Sequence, residues 1–180
     1  MTSINIRHQV HYVPQRPGSP RCWAACIAMV TGRRGADSEA LVQQVVVEAR
    51  TRHVRTAIFG DNAGSLDIAE GPGSLATGYG FARLSRPRNF PTVGMAVAKA
   101  EVFATAIARG PAIALGRKLD RGAGMHEFHA IVISGISGDP KTLLQCDLYG
   151  MDPLPGGANF RHSVQGLQGH FELHHLLYRG

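Results

Sequence analysis

The pattern of apolar residues changes at Gly110-Pro111, and this change constrains the fold more than any other feature of the chain. Before it, apolar residues are grouped as in buried or amphipathic helices. After it, they form short apolar runs that are typical of strands. Because helices come first and strands second, the sequence predicts an α+β protein with an antiparallel sheet. We expect one domain over residues 1–180, with a helical half of about 1–110 and a sheet half of about 111–180.

Three segments of the helical half are predicted to be helices: Cys22–Val30, about 38–52, and about Val97–Ala108. The first follows a cluster of helix breakers, Pro17-Gly18-Ser19-Pro20, so its first turn begins at a sharp change of direction. Asp37 is predicted to cap the second helix, and Gly110 to stop the third. Residues 60–95 are rich in Gly and Pro, and we expect loops there around a short helical turn at Ser74–Tyr79.

Four segments of the sheet half are predicted to be strands: Ala112–Leu115, His129–Ser134, Thr142–Leu148 and Phe171–Tyr178. A turn at Gly138-Asp139-Pro140 separates the second strand from the third, which predicts a hairpin.

Composition excludes several classes of protein. The 180 residues carry 19 Lys and Arg against 13 Asp and Glu, a net charge of +6, but the cations are scattered. We therefore expect no specific nucleic-acid binding. Three cysteines are too few for a disulfide scaffold. No apolar run has the length of a membrane span, and the first residues do not resemble a signal peptide.

The string around Cys22 is suited to nucleophilic catalysis. A thiol reacts as the thiolate, and the N-terminus of a helix favours that form. Cys22 is placed where the predicted helix begins. Acyl transfer also needs donors for the oxyanion that forms on the substrate, and the Cys22 backbone N–H and the side chain of Gln15 are candidates.

His129 opens a strongly apolar strand, where an imidazole is unusual, and it is the candidate base. Asp147 lies on the next predicted strand, so the hairpin would bring its carboxylate alongside His129 to orient the ring. We expect Cys26 to be a core thiol, Trp23 a packing residue beside the site, and His126 part of the loop that approaches the strand.

The pieces Gln15…Cys22-Trp23-Ala24-Ala25, His129-Ala130-Ile131-Val132 and Asp147 resemble the papain-like cysteine proteases, and among them compact bacterial effector and toxin proteases of the avirulence type. The resemblance implies a papain-like fold, in which the nucleophile stands at a helix start packed on the C-terminal sheet. Family members often carry the acid before a proline, and Asp152-Pro153 fits this context, so Asp152 is the alternative to Asp147. The cathepsin flank Cys-Gly-Ser is absent, which leaves substrate preference open.

The expected activity is that of a cysteine endopeptidase that uses Cys22, His129, Asp147 and Gln15 and needs no cofactor or metal. The resemblance further implies a protein substrate, secretion by a specialised system, action in the cytoplasm of a target cell, and a cognate inhibitor in the producer. Residues 60–95 and 120–125 are expected to flank the substrate groove. Another acyl transfer on the same fold, such as deamidation or leader-peptide processing, is an alternative.

A non-enzymatic module that binds zinc or nucleic acid is the alternative from another class. Zinc would need the soft ligands Cys22, Cys26, His129 and Cys146 to meet. The alternating residues His170, Glu172 and His174 near the C-terminus would share one strand face, which we expect to be solvated.

Overall fold

The computed structural model describes residues 3–57, 64–85, 100–119, 126–154, 156 and 159–180. This part of the chain contains seven strands, all in one antiparallel sheet, and five α-helices. The strands are β1 (Ile4–Arg7), β2 (Phe81–Ser85), β3 (Ala112–Leu119), β4 (His126–Gly138), β5 (Asp147–Met151), β6 (Asn159–Ser163) and β7 (Phe171–Arg179). The helices are α1 (Cys22–Val30), α2 (Ser38–Thr51), α3 (Gly71–Tyr79), α4 (Ala100–Ala108) and α5 (Val164–Gln168). The α+β class predicted from the sequence is confirmed.

The long strand β4 organises the sheet. The strand order is β2-β7-β3-β4-β5-β6, and β1 pairs with β4 in addition. The first part of β4 pairs with β3, with His129 opposite Gly116. Its last part pairs with both β1 and β5. Thus β4 carries His129 near one end and the hairpin to β5 at the other.

Alternate residues of the sheet face two separate hydrophobic clusters. Ile113 and Val132 belong to a cluster with residues of α1, α2 and α3. Ala114 and Ile133, their neighbours along the strands, belong to a second cluster with residues of α4 and α5. Because side chains alternate across a strand, helices cover both faces of the sheet.

The helix that begins at Cys22 is buried on all sides. All nine residues of α1 are buried, and several are alanines, which allow close packing against the sheet and α2. In contrast, α2 is amphipathic and properly capped: the Asp37 carboxylate accepts hydrogen bonds from the backbone N–H groups of Glu39 and Ala40, as predicted. The α1 helix has no such side-chain cap, so no side chain at its N-cap accepts from its first N–H groups.

Several boundaries differ from the prediction. The segment expected as a strand over Thr142–Leu148 starts with a 3₁₀ turn at Leu143–Gln145, and β5 begins only at Asp147. The 3₁₀ turn is closed by the N–H of Gln145 on the carbonyl of Thr142, and the turn before it by the N–H of Thr142 on the carbonyl of Asp139, so these backbone groups are not available to a strand. The strands β1 and β2 of the first half join the sheet, and β2, β6 and α5 were not predicted from the pattern. Residues 97–99 of the third predicted helix lie outside the described residues.

None of the helices in the described ranges has the length and apolar character needed to cross a membrane.

Candidate active site

Cys22 is the first residue of α1 and is 8% exposed. The preceding residues form a turn in which the N–H of Ser19 donates to the carbonyl of Arg16, with Gly18 at a φ of 70°. The breaker cluster therefore ends where the helix begins, as the sequence predicted. The position puts the Cys22 sulfur beside the free N–H groups and the positive end of the helix dipole.

His129 joins Cys22 to a carboxylate. Its Nε2 lies 2.8 Å from Oδ1 of Asp152. The Cys22 side chain is the other neighbour of the ring, and its hydrogen bonding and charge help to raise the pKa of His129; because Nε2 is engaged by Asp152, Nδ1 is the ring nitrogen left to face it. His129 is 6% exposed, so the imidazole is held between two fixed partners in a site with little water. A thiol, an imidazole and a carboxylate thus stand in a row.

The electrostatics of this row favour a charged imidazole. Burial acts to lower the pKa of His129, but the hydrogen bonds with Asp152 and Cys22 and the charges of both outweigh burial and raise it to about 9. Burial acts to raise the pKa of Asp152, yet hydrogen bonds from His129 and from the Leu154 N–H keep it below its ordinary value. Each partner therefore stabilises the ionised form of the other.

The expectation that Asp147 lies alongside His129 is wrong. Asp147 pairs across the hairpin with Ser137, eight residues along β4 from His129, and its carboxylate contacts the Arg161 guanidinium at 2.6 Å. The register explains the difference. In an antiparallel hairpin the first residues of the second strand pair with the last residues of the first, so Asp147 lies next to the end of β4, and only residues after β5 reach the start of β4. Asp152, the alternative that the Asp-Pro context indicated, follows β5 and reaches His129 instead.

Gln15 is buried beside the same turn. Its backbone N–H donates to the carbonyl of Pro153, which ties the N-terminal segment to the residue after Asp152. Its side-chain Nε2 donates to the Ser19 carbonyl at 2.7 Å, in the turn that leads into Cys22. One of the two N–H bonds of the amide is used in this way, and Oε1 is buried with no partner among the described residues. Gln15 therefore links the turn before Cys22 to the segment after Asp152, and its oxyanion role stays a prediction.

Two supporting residues were not found from the sequence. The Tyr12 hydroxyl donates to the Leu154 carbonyl at 2.9 Å and so holds the turn that contains Asp152. Gly116 lies opposite His129 in the sheet, and a Cβ there would overlap the carbonyl oxygen of Glu172 on β7. No motif identifies a Tyr anchor of this kind. An isolated Gly within an apolar strand is a general sign of close backbone approach.

The other cysteines are packing residues. Cys26 lies fully buried one helical turn after Cys22, and burial together with the nearby Cys22 and Asp152 raises its pKa well above the ordinary value. Cys146 belongs to the hydrophobic cluster on the opposite face of the sheet, and its thiol donates to the Asp139 carbonyl. All three cysteines are free. Cys146 therefore lies on the opposite face of the sheet from Cys22 and Cys26, so the four ligands of the zinc alternative do not meet.

The described part of the chain also shows no other arrangement of side chains suited to coordinate a metal ion. Within the described ranges, no group of three or more His, Cys, Asp or Glu side chains is arranged to hold a metal ion. Glu172 and His174 lie 3.6 Å apart on β7 and are partly exposed. Trp23 is 1% exposed and donates its indole N–H to the Gly64 carbonyl, as expected of a packing residue next to Cys22.

Parts of the predicted substrate groove lie outside the described residues. The expected groove segments 60–95 and 120–125 lie outside the described residues, except for 64–85, which form α3 and β2 with the turns before them. His126, expected in a loop, is the first residue of β4.

No protein family model matches the chain, and no curated protein matches it significantly.

Proposed function

We propose that the protein is a cysteine endopeptidase in which Cys22 is the nucleophile, His129 the acid and base, and Asp152 the residue that orients the imidazole. The observation that carries this proposal is the continuous row from the Cys22 thiol through the His129 ring to the Asp152 carboxylate. A nucleophile at hydrogen-bonding distance from a base that a third group orients is the recurrent arrangement of covalent acyl transfer.

The first half of the reaction forms an acyl-enzyme. His129 holds the proton of Cys22, and the thiolate attacks the carbonyl carbon of the substrate, so that a C–S bond forms. Negative charge develops on the carbonyl oxygen. The tetrahedral intermediate collapses when the C–N bond breaks and the His129 Nδ1–H protonates the leaving amine. Asp152 stabilises the imidazolium while it carries the proton and fixes the ring through Nε2.

The second half returns the enzyme to its starting state. A water molecule gives a proton to His129 and attacks the thioester, and the C–S bond then breaks, which releases the acid product and leaves the Cys22 thiolate beside the protonated His129. The Cys22 N–H and the second N–H of the Gln15 amide are the donors assigned to the oxyanion in both halves. The missing side-chain cap on α1 supports this assignment, because no side chain of the described chain competes for the first N–H groups.

The test compares single cysteine variants from the same helix. Wild-type protein, Cys22→Ala and Cys26→Ala are incubated with a cell extract, and new protein N-termini are mapped by mass spectrometry. We expect new termini with wild type and with Cys26→Ala, and none with Cys22→Ala. Cleavage that survives in Cys22→Ala, or is lost equally in Cys26→Ala, would overturn the proposal.

The same samples separate the alternative reactions. Deamidation of a target raises its intact mass by about one dalton without chain scission, whereas an endopeptidase produces two fragments. The proposed setting is the one implied by the family resemblance, with a secreted effector or toxin that acts on a protein of another cell. A cognate inhibitor made by the producing cell belongs to the same proposal.

A further inference from the structure

A cleft opens in the surface beside the start of α1. It has a volume of about 640 Å³ and lies between the end of α2, residues 53–57 and Gly64. Its floor contains the side chains of Val46, Ala49 and Val54, which are buried in the adjacent hydrophobic cluster. The cleft is therefore a surface depression with an apolar floor and is large enough for one extended stretch of peptide.

The cleft lies beside the segment that carries the candidate nucleophile. Arg21, which immediately precedes Cys22, lines it. Gly64, which also lines the cleft, accepts the indole N–H of Trp23, the residue that follows Cys22. Both chain neighbours of Cys22 therefore contact the cleft or its lining, which brings the cleft near a polypeptide bound at Cys22.

The lining of the cleft is cationic. Among its described lining residues, Arg21, Arg50, His53 and Arg55 carry or can carry positive charge, and none is acidic. Two acids lie near the rim: Glu39 is 3.7 Å from Arg21 and Glu70 is 3.6 Å from Arg55, and both contacts are solvent-exposed.

Among the described residues, the three arginines of the lining therefore outnumber these two acids. An exposed ion pair of this kind is weak, so a ligand carboxylate competes with it easily. The Arg50 side chain is exposed, and its guanidinium forms no hydrogen bond or ion pair with a described residue.

The backbone at His53 is strained at the same place. α2 ends with the N–H of Val54 on the Ala49 carbonyl and the N–H of His53 on the Arg50 carbonyl, a helix terminus that usually carries glycine. His53 has a φ of 57°, and it is the one non-glycine residue of the described chain with a positive φ. The His53 imidazole therefore lines the cleft from a backbone conformation that glycine would adopt without strain.

We propose that this cleft is a substrate subsite that binds an Asp or Glu side chain close to the bond attacked by Cys22. Arg50 and Arg55 supply the opposite charge, Arg21 closes the side nearest the nucleophile, and the apolar floor packs against the substrate stem. This inference rests on the proposed peptidase function and names its substrate class as acidic protein segments.

The first experiment maps cleavage in a peptide library. Peptides from a digested proteome are treated with wild type, Arg50→Gln/Arg55→Gln, and the control Arg34→Gln/Arg109→Gln. The control removes two exposed arginines that do not line this cleft. We expect Asp and Glu to be enriched at one fixed position near the cleaved bond, with loss of that enrichment in the cleft variant alone.

The second experiment measures binding without catalysis. Acetylated hexaglutamate and hexaglutamine are titrated into Cys22→Ala protein with and without the two cleft substitutions. We expect hexaglutamate to bind more tightly than hexaglutamine, and the cleft variant to weaken it by roughly 2- to 25-fold, from two exposed pairs of about 1.5- to 5-fold each. A six-nucleotide oligothymidylate is titrated alongside.

The outcomes separate the two proposals. Cys22-dependent cleavage without an acidic preference, or with a preference unchanged in the cleft variant, overturns the subsite and leaves the peptidase intact. If wild type cleaves no peptide, the peptidase proposal fails, and binding alone then decides whether the cleft recognises acidic peptides. Equal binding of hexaglutamate and hexaglutamine, or tighter binding of the oligothymidylate, overturns the assignment to an acidic peptide.

Discussion

The pairing of His129 with Asp152 is the part of the site that a single substitution tests most directly. Asp152→Asn removes the charge of the carboxylate and retains an oxygen that accepts from Nε2. Asp147→Asn is the matched control, since Asp147 contacts Arg161 and lies at the turn end of the β4–β5 hairpin, away from His129. Both changes are made in the Cys22→Ala background, so that the imidazole titrates without a coupled thiol.

The size of the effect follows from the hydrogen bond. A hydrogen bond to a charged partner is worth about 1.5–3 kcal/mol. Because one pKa unit corresponds to about 1.4 kcal/mol, we expect Asp152→Asn to lower the pKa of His129 by about 1 to 2 units. Asp147→Asn should leave it unchanged. In wild type the pKa of His129 is raised from 6.5 to about 9, and Cys22 contributes part of that shift.

Stability changes with pH in the matching direction. The folded protein binds the His129 proton more tightly than the unfolded chain does, so this interaction stabilises the fold fully below pH 6.5. The contribution is lost as the pH rises through about 9. In Asp152→Asn, the decrease in unfolding free energy between pH 6 and pH 9.5 should be smaller by about 2 kcal/mol.

Two assays measure these quantities. NMR of the imidazole protons gives the pKa of His129, with its signals assigned from a His129→Gln variant, and urea denaturation at several pH values gives the unfolding free energy. An imidazole that titrates at the same pH in the Asp152→Asn and Cys22→Ala proteins would refute the pairing. So would a shift of equal size in Asp147→Asn.

Three further substitutions test the surroundings of the site. His53→Gly should stabilise the protein by about 0.5–1 kcal/mol in urea denaturation, because glycine adopts the positive φ of 57° without strain; destabilisation would contradict the reading of that helix end. Asp37→Ala should cost about 1 kcal/mol through loss of the cap on α2, and an unchanged midpoint would contradict the capping role. Gly116→Ala should cost about 2 kcal/mol or more and shift the NMR signals of His129, since the new Cβ meets the Glu172 carbonyl; normal stability would show that β7 can move aside.

The helix starts and strand centres were predictable because local chemistry specifies them. The breaker cluster before Cys22 and the Asp37 cap are interactions within a few residues of each helix, and α1 and α2 begin at Cys22 and Ser38. The conformation of the segment before Asp147 was predicted wrongly, because its short apolar run is compatible with a strand and with a turn. Its conformation depends on burying Cys146 in the second cluster, which is a tertiary contact.

The residues alone indicated the order of the candidate catalytic groups along the chain: a thiol at a helix start, an imidazole at the start of an apolar strand, and then a carboxylate. They did not decide between Asp147 and Asp152, because that choice depends on the register of β4 and β5 and on the turn held by Tyr12 and Gln15. A shift of a few residues in an antiparallel pair moves a side chain by many ångströms along the strand, and no local signal records it. The cationic cleft beside Cys22 arises in the same way, because it gathers arginines and a histidine from separate parts of the chain that only packing brings together.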